Sequence, residues 1–288
     1  MSPVTDAVWR CRDHAFPLGG RTLVMGIVNV TPDSFSDGGL FTGPRDAIAY
    51  GVQLAADGAD ILDVGGESTR PGSDPVSIEE ELARVVPVVA GLAEAAPEGI
   101  ALSVDTRRPE VATAALDAGA SIVNDVTAGS EPTMFEVARA MGAGLVLMHM
   151  LGEPKTMQDA PRYDDVVTEV RDFLGDRVEA AAAAGIERER VCVDPGIGFG
   201  KDLDHNLELL REIDSFAGLG VPVMVGASRK RFIGRLTGVD EPAERVDGTA
   251  GVVAWCAAQR VDVVRVHDVR RMVRVVRVVD AIARGSSP

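Results

Sequence analysis

The feature that most constrains the fold is a regular alternation of short, apolar, β-branched runs with longer segments of helical periodicity. Runs of this kind are typical of buried parallel strands, and the segment between two of them is long enough to form a crossover helix. The alternation therefore predicts a parallel sheet built from βαβ units. Eight strands are predicted: Leu23–Asn29, Ala59–Val64, Ala101–Asp105, Ser121–Asn124, Gly144–His149, Val191–Asp194, Pro222–Gly226 and Val261–His267.

A helical segment follows each predicted strand, which gives eight β/α units in 288 residues. A closed (β/α)8 TIM barrel uses eight such units, whereas a doubly wound open sheet usually has fewer strands. The pattern therefore favours the barrel. The predicted helices cover approximately Arg45–Ala56, Ser77–Ala95, Pro109–Ala118, Pro132–Met141, Tyr163–Ala184, Asp204–Phe216, Ala243–Ala258 and Val269–Arg284.

Residues at the ends of these segments support the predicted boundaries. Ser77 precedes three consecutive glutamates, as is typical of a capped helix N-terminus. Gly119 and Gly185 follow Ala-rich helices, where a glycine commonly ends the helix. At the N-terminus, Gly19-Gly20 after Phe16–Leu18 indicates a hairpin within residues 1–21 that could close the bottom of the barrel. No linker or second core is evident, so residues 1–288 are predicted to form a single domain.

Composition and charge exclude several functional classes. The net charge of −15 argues against general binding to nucleic acid or to an anionic membrane. The N-terminus has no apolar signal core, and the longest Val-rich stretch, Val261–Ala283, is interrupted by arginines and cannot span a membrane. Three widely spaced cysteines form no metal-ligand cluster and fit a reducing compartment, so a cytoplasmic location is expected.

Polar residues end the apolar strands, and in a barrel all of these ends open on one face, where active sites are built. A single polar residue in such a place could simply cap the next helix, but a whole set converging by accident is much less plausible. His149 could line the pocket or equally be a satisfied inner histidine. The strand-end residues are Asn29, Asp105, Asn124, His149, Asp194 and His267, with Ser228, Arg229 and Lys230 just after another strand.

The chemistry of these side chains divides into two groups. Carboxylates, an amide and a lysine suit a flat heterocycle with several N–H donors, such as a pterin ring. The residues of this group are Asp105, Asn124, Asp194 and Lys230. Cationic and hydroxyl side chains suit an anion such as diphosphate. The residues of this second group are Arg265, His267, Ser68, Thr69 and Arg70.

Three glycine-rich loops follow predicted strands. TPDSFSDGG (31–39) and GGESTRPG (65–72) are longer than a barrel turn needs and are predicted to be mobile lids. DPGIGFGK (194–201) matches neither phosphate-loop spacing, so its glycines are interpreted as permitting close approach of the backbone to a ligand. No Ser-His-Asp or Cys-His arrangement supports covalent catalysis.

Seven segments, in order along the chain, resemble the dihydropteroate synthase family, whose members are pterin-binding β/α barrels. The segments are MGIVNVTPDSFSDGG (25–39), DVGGESTRPG (63–72), SVDT (103–106), NDV (124–126), DPGIGFGK (194–201), GASRKRFIG (226–234) and RVHDV (265–269). The resemblance covers the chain from about Phe16 to the C-terminus. Each segment alone would be moderately specific for the family, and the seven segments together are highly specific for it.

The resemblance implies the condensation of (7,8-dihydropterin-6-yl)methyl diphosphate with 4-aminobenzoate to 7,8-dihydropteroate and diphosphate, by a dissociative substitution assisted by Mg²⁺. It implies that Asn29 binds Mg²⁺ together with the diphosphate. It also implies that the pterin is held by Asp105, Asn124, Asp194 and Lys230, and the diphosphate by Thr69, Arg265 and His267.

The same resemblance places the aminobenzoate under the two loops and beside the strand ends. Ser228 and Phe199 would line its pocket, and the loops would contribute Thr31, Asp33, Ser34, Phe35, Ser68, Arg70 and Pro71. The implied catalytic set is Asn29, Asp33, Arg70, Lys230, Arg265 and His267. The family also implies a homodimer formed through helices near the C-terminus.

Two other functions remain possible from the sequence. A pterin-binding methyltransferase domain shares the barrel and the Asp/Asn pterin site, but it has no need of a diphosphate pocket or of the two long loops. A non-catalytic pterin-binding barrel would predict loss of Asn29, Arg70 or His267, and all three are present.

Overall fold

The computed structural model describes residues 7–30, 43–68, 75–152, 156–157 and 160–285. Its central feature is a sheet of eight parallel strands. Each strand begins and ends within two residues of its predicted bounds, which confirms the alternation derived from the sequence. These strands are β3 (Leu23–Asn29), β4 (Ile61–Gly65), β5 (Ala101–Asp105), β6 (Ile122–Asp125), β7 (Gly144–Met148), β8 (Val191–Asp194), β9 (Met224–Val225) and β10 (Val263–Val266).

The order of the strands distinguishes a barrel from an open sheet. Neighbours run β8, β7, β6, β5, β4, β3, β10 and β9, so the first strand of the barrel, β3, pairs with the last, β10, and β8 and β9 lie at the two edges. A parallel bridge between Val193 and Val223 joins those edges. The sheet therefore closes on itself, and the predicted TIM barrel is confirmed over the doubly wound alternative.

Nine α-helices lie in the described residues. They are α1 (Pro44–Ala56), α2 (Ile78–Ala95), α3 (Pro109–Asp117), α4 (Thr133–Met141), α5 (Val166–Ala183), α6 (Leu203–Arg211), α7 (Arg231–Thr237), α8 (Val246–Ala258) and α9 (Val269–Arg284). Helix α7 was not predicted, because its seven residues are too few to show helical periodicity. The helix predicted over Asp204–Phe216 ends at Arg211 and is followed by a 3₁₀ segment, Ile213–Leu219. No described helix has the length and apolar character needed to cross a bilayer.

The predicted helix ends are confirmed by their geometry. The Ser77 side chain accepts a hydrogen bond from the Glu80 amide at 3.1 Å, which satisfies one of the free donors at the start of α2. Gly119 and Gly185 follow α3 and α5 with φ angles of 117° and 86°, a region that favours glycine.

The N-terminal hairpin is present, but its turn is not where the sequence suggested. Strands β1 (Val8–Cys11) and β2 (His14–Pro17) pair antiparallel. The chain therefore turns at Arg12-Asp13, and Gly19-Gly20 only connects the hairpin to β3. Arg12 has φ 52°, so a non-glycine residue occupies the left-handed conformation that the turn needs. Its guanidinium donates to the carbonyls of Leu116 and Ala120, which ties the turn to the barrel.

The hairpin closes the amino-terminal end of the barrel with apolar side chains. Trp9 is fully buried, and its indole nitrogen donates to the Arg190 carbonyl at 3.1 Å. Side chains from the hairpin and from the first inward positions of the strands form one cluster. Its members are Trp9, Cys11, Phe16, Leu18, Leu23, Met25, Ile61, Ala101, Ile122, Val146, Cys192, Met224 and Val263. The strand residues between these pack outward against the helices, in a second and larger core.

Candidate active site

Because strand side chains alternate in direction, the inward row that begins with apolar residues at the bottom continues toward the carboxyl ends. In β4, Ile61 lies in the bottom cluster, and Asp63 is the next inward position. Asp105 lies opposite Asn124 in the register of β5 and β6. The inward positions therefore change from apolar to polar within one pleat, and the polar ones meet at the mouth of the barrel.

Arg265 joins the polar groups at the mouth. Its Nε donates to Asp63 Oδ2 at 2.6 Å, and its Nη2 donates to Asp105 Oδ2 at 2.7 Å. The Asn124 amide nitrogen donates to the same Asp63 oxygen at 3.0 Å. The heterocycle group and the anion group predicted from the sequence are therefore linked through one guanidinium. A planar fork with several donors makes this link possible.

The pKa of Asp105 is set by its burial and by its charged neighbours. Burial raises the pKa of Asp105 to about 7, Arg265 opposes this rise, and the nearby carboxylates of Asp63, Glu81 and Asp125 add to it. A carboxyl with this pKa can be an acceptor or a donor near neutral pH, so it can accept a hydrogen bond from a ligand or donate one to it.

Asp194 and Lys230 occupy the neighbouring part of the mouth. Asp194 Oδ1 accepts a hydrogen bond from the Gly196 amide at 2.7 Å, while burial raises the pKa of this carboxyl. Lys230 Nζ donates to the Ile197 carbonyl at 2.5 Å and lies 3.8 Å from the centre of the Phe199 ring. Burial lowers the pKa of Lys230 to about 7, although Asp194 raises it in part. The loop after β8 thus holds both charged groups.

Two glycines of that loop allow close packing against the protein's own backbone. Gly196 has φ 68°, and a Cβ built there would lie 1.9 Å from the His149 carbonyl oxygen. Gly200, with φ 64°, is packed in the same way against the Leu151 backbone. A side chain at either position would separate the loops after β7 and β8.

His149 and Lys201 bind these two loops together below the mouth. Lys201 is only 2% exposed, and its Nζ lies 2.9 Å from His149 Nδ1 and donates to the Phe199 carbonyl at 3.0 Å. Burial lowers the pKa of His149 to about 3, and Lys201 lowers it further, so the imidazole is neutral. Of the two interpretations of His149, a pocket-lining residue or a satisfied inner histidine, the structure supports the second.

The last two strand ends are joined by paired contacts. His267 Nδ1 lies 3.0 Å from Ser228 Oγ, and Arg229 forms a two-point ion pair with Asp268 at 3.0 and 2.8 Å. Arg229 has φ 59°, which is strained for a residue with a side chain. The ion pair holds this conformation and so fixes Ser228 and Lys230 on either side of it.

The sequence matches the family described as pterin binding enzyme over residues 25–267, from β3 to the residue after β10. It is 47% identical over 258 residues to the dihydropteroate synthase of Escherichia coli strain K12, with 90% of each chain covered. The chain belongs to the dihydropteroate synthase family.

Solved structures of this family share the fold. The Xanthomonas albilineans dihydropteroate synthase with 4-aminobenzoic acid superposes with a TM-score of 0.89 at 46% identity, covering 98% of this chain and 99% of that chain. The same organism's dihydropteroate synthase in complex with 7,8-dihydropteroate gives a TM-score of 0.86 at 44% identity, covering 98% and 100%. Proteins named dihydropteroate synthase match this chain over the whole barrel. This match disfavours both alternatives, the methyltransferase domain and the non-catalytic barrel.

Within this member of the dihydropteroate synthase family, the described site residues lie on one face of the barrel. The structure brings together Asp105, Asn124 and Arg265 by direct bonds or adjacent register, and Ser228 with His267. Ser68 is half-buried in the loop after β4. Seven loop residues named from the sequence lie outside the described part of the chain: Thr31, Asp33, Ser34, Phe35, Thr69, Arg70 and Pro71.

Asp63 was missed by the sequence reasoning, although it opens one of the quoted motifs. It is fully buried and contacts both Arg265 and Asn124. The signal that could have found it is the period of two within β4. Asp63 is two residues from the apolar Ile61 and so shares its inward face, where a carboxylate requires a partner.

Asn29 offers a neutral amide oxygen at the end of β3. A Cβ built at Gly65 would lie 3.7 Å from Asn29 Oδ1 and 3.7 Å from Asp105 Oδ2, so glycine keeps a space between these two oxygens. Oxygen ligands suit Mg²⁺, which usually binds few protein groups together with phosphates and water. The described residues contain no cluster of three acidic, His or Cys ligands. Asn29 therefore offers one oxygen of the kind that Mg²⁺ binds.

Proposed function

We propose that the enzyme condenses (7,8-dihydropterin-6-yl)methyl diphosphate with 4-aminobenzoate to give 7,8-dihydropteroate and diphosphate. The observation that carries this proposal is the Arg265 link between Asp63 and Asp105 beside Asn124 at the mouth of the barrel. It supplies acceptors for a heterocycle and a cation for an anion in one place. The relatives crystallised with 4-aminobenzoic acid and with 7,8-dihydropteroate support the choice of substrates.

The pterin ring would bind among the buried polar side chains. Asp105 and Asp194 accept hydrogen bonds from ring N–H groups, Asn124 can donate and accept, and Lys230 donates to a ring oxygen or nitrogen. Burial of these groups strengthens each bond and excludes water from the reacting methylene carbon.

In the reaction, the bond between the methylene carbon and the diphosphate oxygen breaks, and both electrons leave with the diphosphate. The arylamine nitrogen then forms the new C–N bond with its lone pair, and the released diphosphate takes up the proton that this nitrogen loses. Arg265 and His267 stabilise the negative charge that develops on the leaving group. An arylamine is already nucleophilic, so this sequence requires no strong general base.

Mg²⁺ would supply charge neutralisation of the leaving diphosphate. Asn29 is the described residue that would contribute to holding it. Omission of Mg²⁺, with a chelator present, is expected to abolish turnover while leaving the affinity for a bare pterin unchanged. Turnover at the same rate without divalent cations would contradict this assignment.

The aminobenzoate would bind between the loop after β8 and the loop after β9. Phe199 lies in the first of these loops and Ser228 in the second, and Ser68 lies in the loop after β4. Phe35, Arg70 and Pro71 would complete the pocket, with Asp33 and Arg70 acting during catalysis, and Thr69 would contact the diphosphate. Phe199→Ala is expected to raise the KM for aminobenzoate more than that for the pterin substrate, and equal changes would count against the placement.

Release of diphosphate by the purified enzyme tests the proposed function directly. The enzyme is given the pterin diphosphate and Mg²⁺, with and without 4-aminobenzoate. Diphosphate release that depends on aminobenzoate, with pteroate as the product, is expected. Binding of the pterin with no release of diphosphate would overturn the proposal and leave only a pterin-binding barrel.

We also propose a homodimer formed through the C-terminal helices. Ile282 and Val278 on α9 are 80% and 61% exposed, and Leu236 on α7 and Trp255 on α8 are further large apolar side chains at the surface. Val278 and Ile282 lie four residues apart and so share one face of α9, and exposed apolar side chains that adjoin in this way commonly mark an interface. Light scattering is expected to give twice the chain mass, and Val278→Lys with Ile282→Lys is expected to give a monomer. A monomeric wild type at micromolar concentration would contradict the proposal.

A cytoplasmic location is proposed from the buried free thiols of Cys11, Cys192 and Cys256. Thiols that remain reduced are typical of a reducing compartment. Fractionation of cells that express the untagged protein is expected to recover it with cytoplasmic markers, and recovery with an exported fraction would contradict this location.

A further inference from the structure

The buried carboxylate of Asp63 is assigned no contact with either substrate in the proposed reaction, yet it contacts two side chains that are assigned such contacts. Its side chain is inaccessible to solvent, and its Oδ2 accepts hydrogen bonds from Arg265 Nε and Asn124 Nδ2. A buried charge must be paired, and one partner here is a cation. One carboxylate oxygen therefore holds two side chains in the orientation with which they face the substrate.

The bond to Asn124 fixes which end of its amide faces the ligand. An ionised carboxylate only accepts hydrogen bonds, so the amide group that contacts Asp63 must be the NH₂ group. The carbonyl oxygen then lies on the other side of the amide plane. An asparagine held in this way presents an acceptor, together with its second N–H hydrogen, to a pterin ring.

The bond to Arg265 fixes the plane of the guanidinium. Asp63 accepts from Nε and Asp105 accepts from Nη2, so two carboxylates hold the guanidinium at two points. The Nη1 end and the flat faces are left for a ligand. Without Asp63, the guanidinium would be held at one point and could rotate about that bond.

The other carboxylate oxygen, Asp63 Oδ1, is buried and has no hydrogen-bond partner among the described residues. The neighbouring Ser103 hydroxyl, opposite Asp63 in the register of β4 and β5, is in the same condition. A buried polar atom without a partner is destabilising, and such a cost is typical of residues at functional sites.

We infer that Asp63 is a positioning residue that orients the Asn124 amide and the Arg265 guanidinium for the pterin substrate. The inference rests on the proposed function, because Asn124 and Arg265 are assigned to the substrate there. Asp63 acts through these two side chains and makes no contact with the reacting atoms.

The first test replaces the charge at constant shape. Asp63→Asn allows the Asn124 amide to take either orientation, since an amide can donate as well as accept. The affinity for 6-hydroxymethyl-7,8-dihydropterin, which lacks the diphosphate, is expected to fall by about 10-fold or more, as for loss of a charge-assisted bond. The KM for 4-aminobenzoate is expected to stay within about 2-fold, because its site does not depend on this network.

Ser103→Ala is the matched control. It removes a buried polar atom in the same layer, but Ser103 contacts neither Asn124 nor Arg265 among the described hydrogen bonds. Its pterin affinity is expected to equal that of the wild type within about 2-fold. A loss as large as that of Asp63→Asn would show a general disturbance of the core and overturn the positioning role.

A double-mutant cycle separates action through Asn124 from an independent effect. Asp63→Asn, Asn124→Ala and the combined variant are compared for pterin affinity. Residues that act through one another give a combined loss smaller than the product of the single losses. A combined loss equal to that product would overturn the inference, even if each single variant binds weakly.

A measurement on the wild type does not depend on whether any variant folds. The chain contains only three asparagines, Asn29, Asn124 and Asn206, so protein labelled with ¹⁵N-asparagine gives three pairs of side-chain amide signals. Comparison with pterin-bound wild-type protein assigns the Asn124 pair. One hydrogen of the Asn124 pair is expected to be protected from solvent exchange before any ligand is added. Rapid exchange of both hydrogens would overturn the inference.

The outcomes also separate this inference from the proposed function. If the wild type neither binds the pterin nor releases diphosphate, the proposed function fails. If the wild type does both and Asp63→Asn matches it in pterin affinity, only the positioning role of Asp63 fails.

Discussion

The two ends of the barrel interior are built from the same strands but have opposite chemistry. At the amino-terminal end, the hairpin covers a cluster of apolar side chains that includes the fully buried Trp9. At the carboxyl-terminal end, Asp63, Asp105 and Asn124 surround Arg265. Along β4 the two regions are only two residues apart, from Ile61 to Asp63.

This difference indicates that one end of the barrel interior stabilises the fold and the other end binds the ligand. The apolar end supplies hydrophobic stabilisation without polar groups to satisfy. The polar end concentrates buried charges, which seldom add net stability and must be paired. Substitutions at the bottom should therefore change folding with little effect on ligand binding, and substitutions at the mouth should do the reverse.

The largest expected effect is at the bottom. Trp9→Ala removes the largest side chain of the plug and its hydrogen bond to the Arg190 carbonyl. The free energy of unfolding is expected to fall by about 3–5 kcal/mol in urea denaturation. The folded variant should bind a pterin as the wild type does.

Arg10→Ala is a neighbouring control on the same strand. Arg10 forms an exposed ion pair with Glu189, which contributes about 0–1 kcal/mol. If Trp9→Ala weakened pterin binding as much as it weakened folding, the separation of the two ends would be wrong.

At the mouth, Lys230→Ala and Asp105→Asn are each expected to weaken pterin binding by about 2–4 kcal/mol, because each removes a buried charge-assisted bond. Isothermal titration calorimetry with a bare pterin measures this loss. The midpoint of urea unfolding should move little or even rise, since a desolvated charge is removed. Unchanged affinity in both variants would refute the site assignment.

The pH dependence of pterin binding sharpens the comparison, since the bottom cluster holds no group that titrates near neutrality. Burial raises the pKa of Asp105 to about 7, so its carboxylate forms as pH rises through that value. Burial lowers the pKa of Lys230 to about 7, so its ammonium is lost over the same range. Pterin affinity is therefore expected to be highest near pH 7 and to fall on both sides.

The two limbs of this profile can be removed one at a time. Asp105→Asn should flatten the acid limb, and Lys230→Met should flatten the alkaline limb. Because the two groups interact, the apparent values belong to the pair. If both limbs persisted in both variants, other groups would control binding.

The smallest effect on stability and binding is expected at the ion pair between Asp268 and Arg229, which lies beside the mouth of the barrel. Asp268→Asn weakens the two-point ion pair with Arg229, and the strained Arg229 backbone is then held less firmly. Stability is expected to fall by about 1 kcal/mol, and the KM for the pterin substrate to rise a few-fold. A rise in the KM with no change in kcat would be consistent with a positioning effect. A change in kcat alone would contradict it.

Much of the fold could be predicted because it depends on local periodicity. The strands and most helices follow from runs of Val, Ile and Leu and from caps such as Ser77, whose signals lie within a few residues of one another. The exceptions are local too: α7 is too short to show a period, and the hairpin turn uses Arg12 in a conformation that a glycine usually signals.

Much of the candidate site could be predicted as well, because the polar residues stand at the ends of apolar strands. Asp105, Asn124, Asp194 and Lys230 were found from their positions and from family motifs. The partners of these residues could not be predicted. Arg265 and Asp63 are 202 residues apart, and no pattern along the chain indicates that their side chains meet.

The sequence by itself determined the β/α repeat, the polarity of the strand ends and the family, because these are encoded in neighbouring residues. The tertiary structure alone decided that Asp63 points inward to hold both Arg265 and Asn124, that His149 is neutral beside Lys201, and that two glycines after β8 allow close packing against the protein's own backbone. The physical reason is barrel closure. It sets the distances between strands that are far apart in sequence, and burial then sets the charge of the groups that meet.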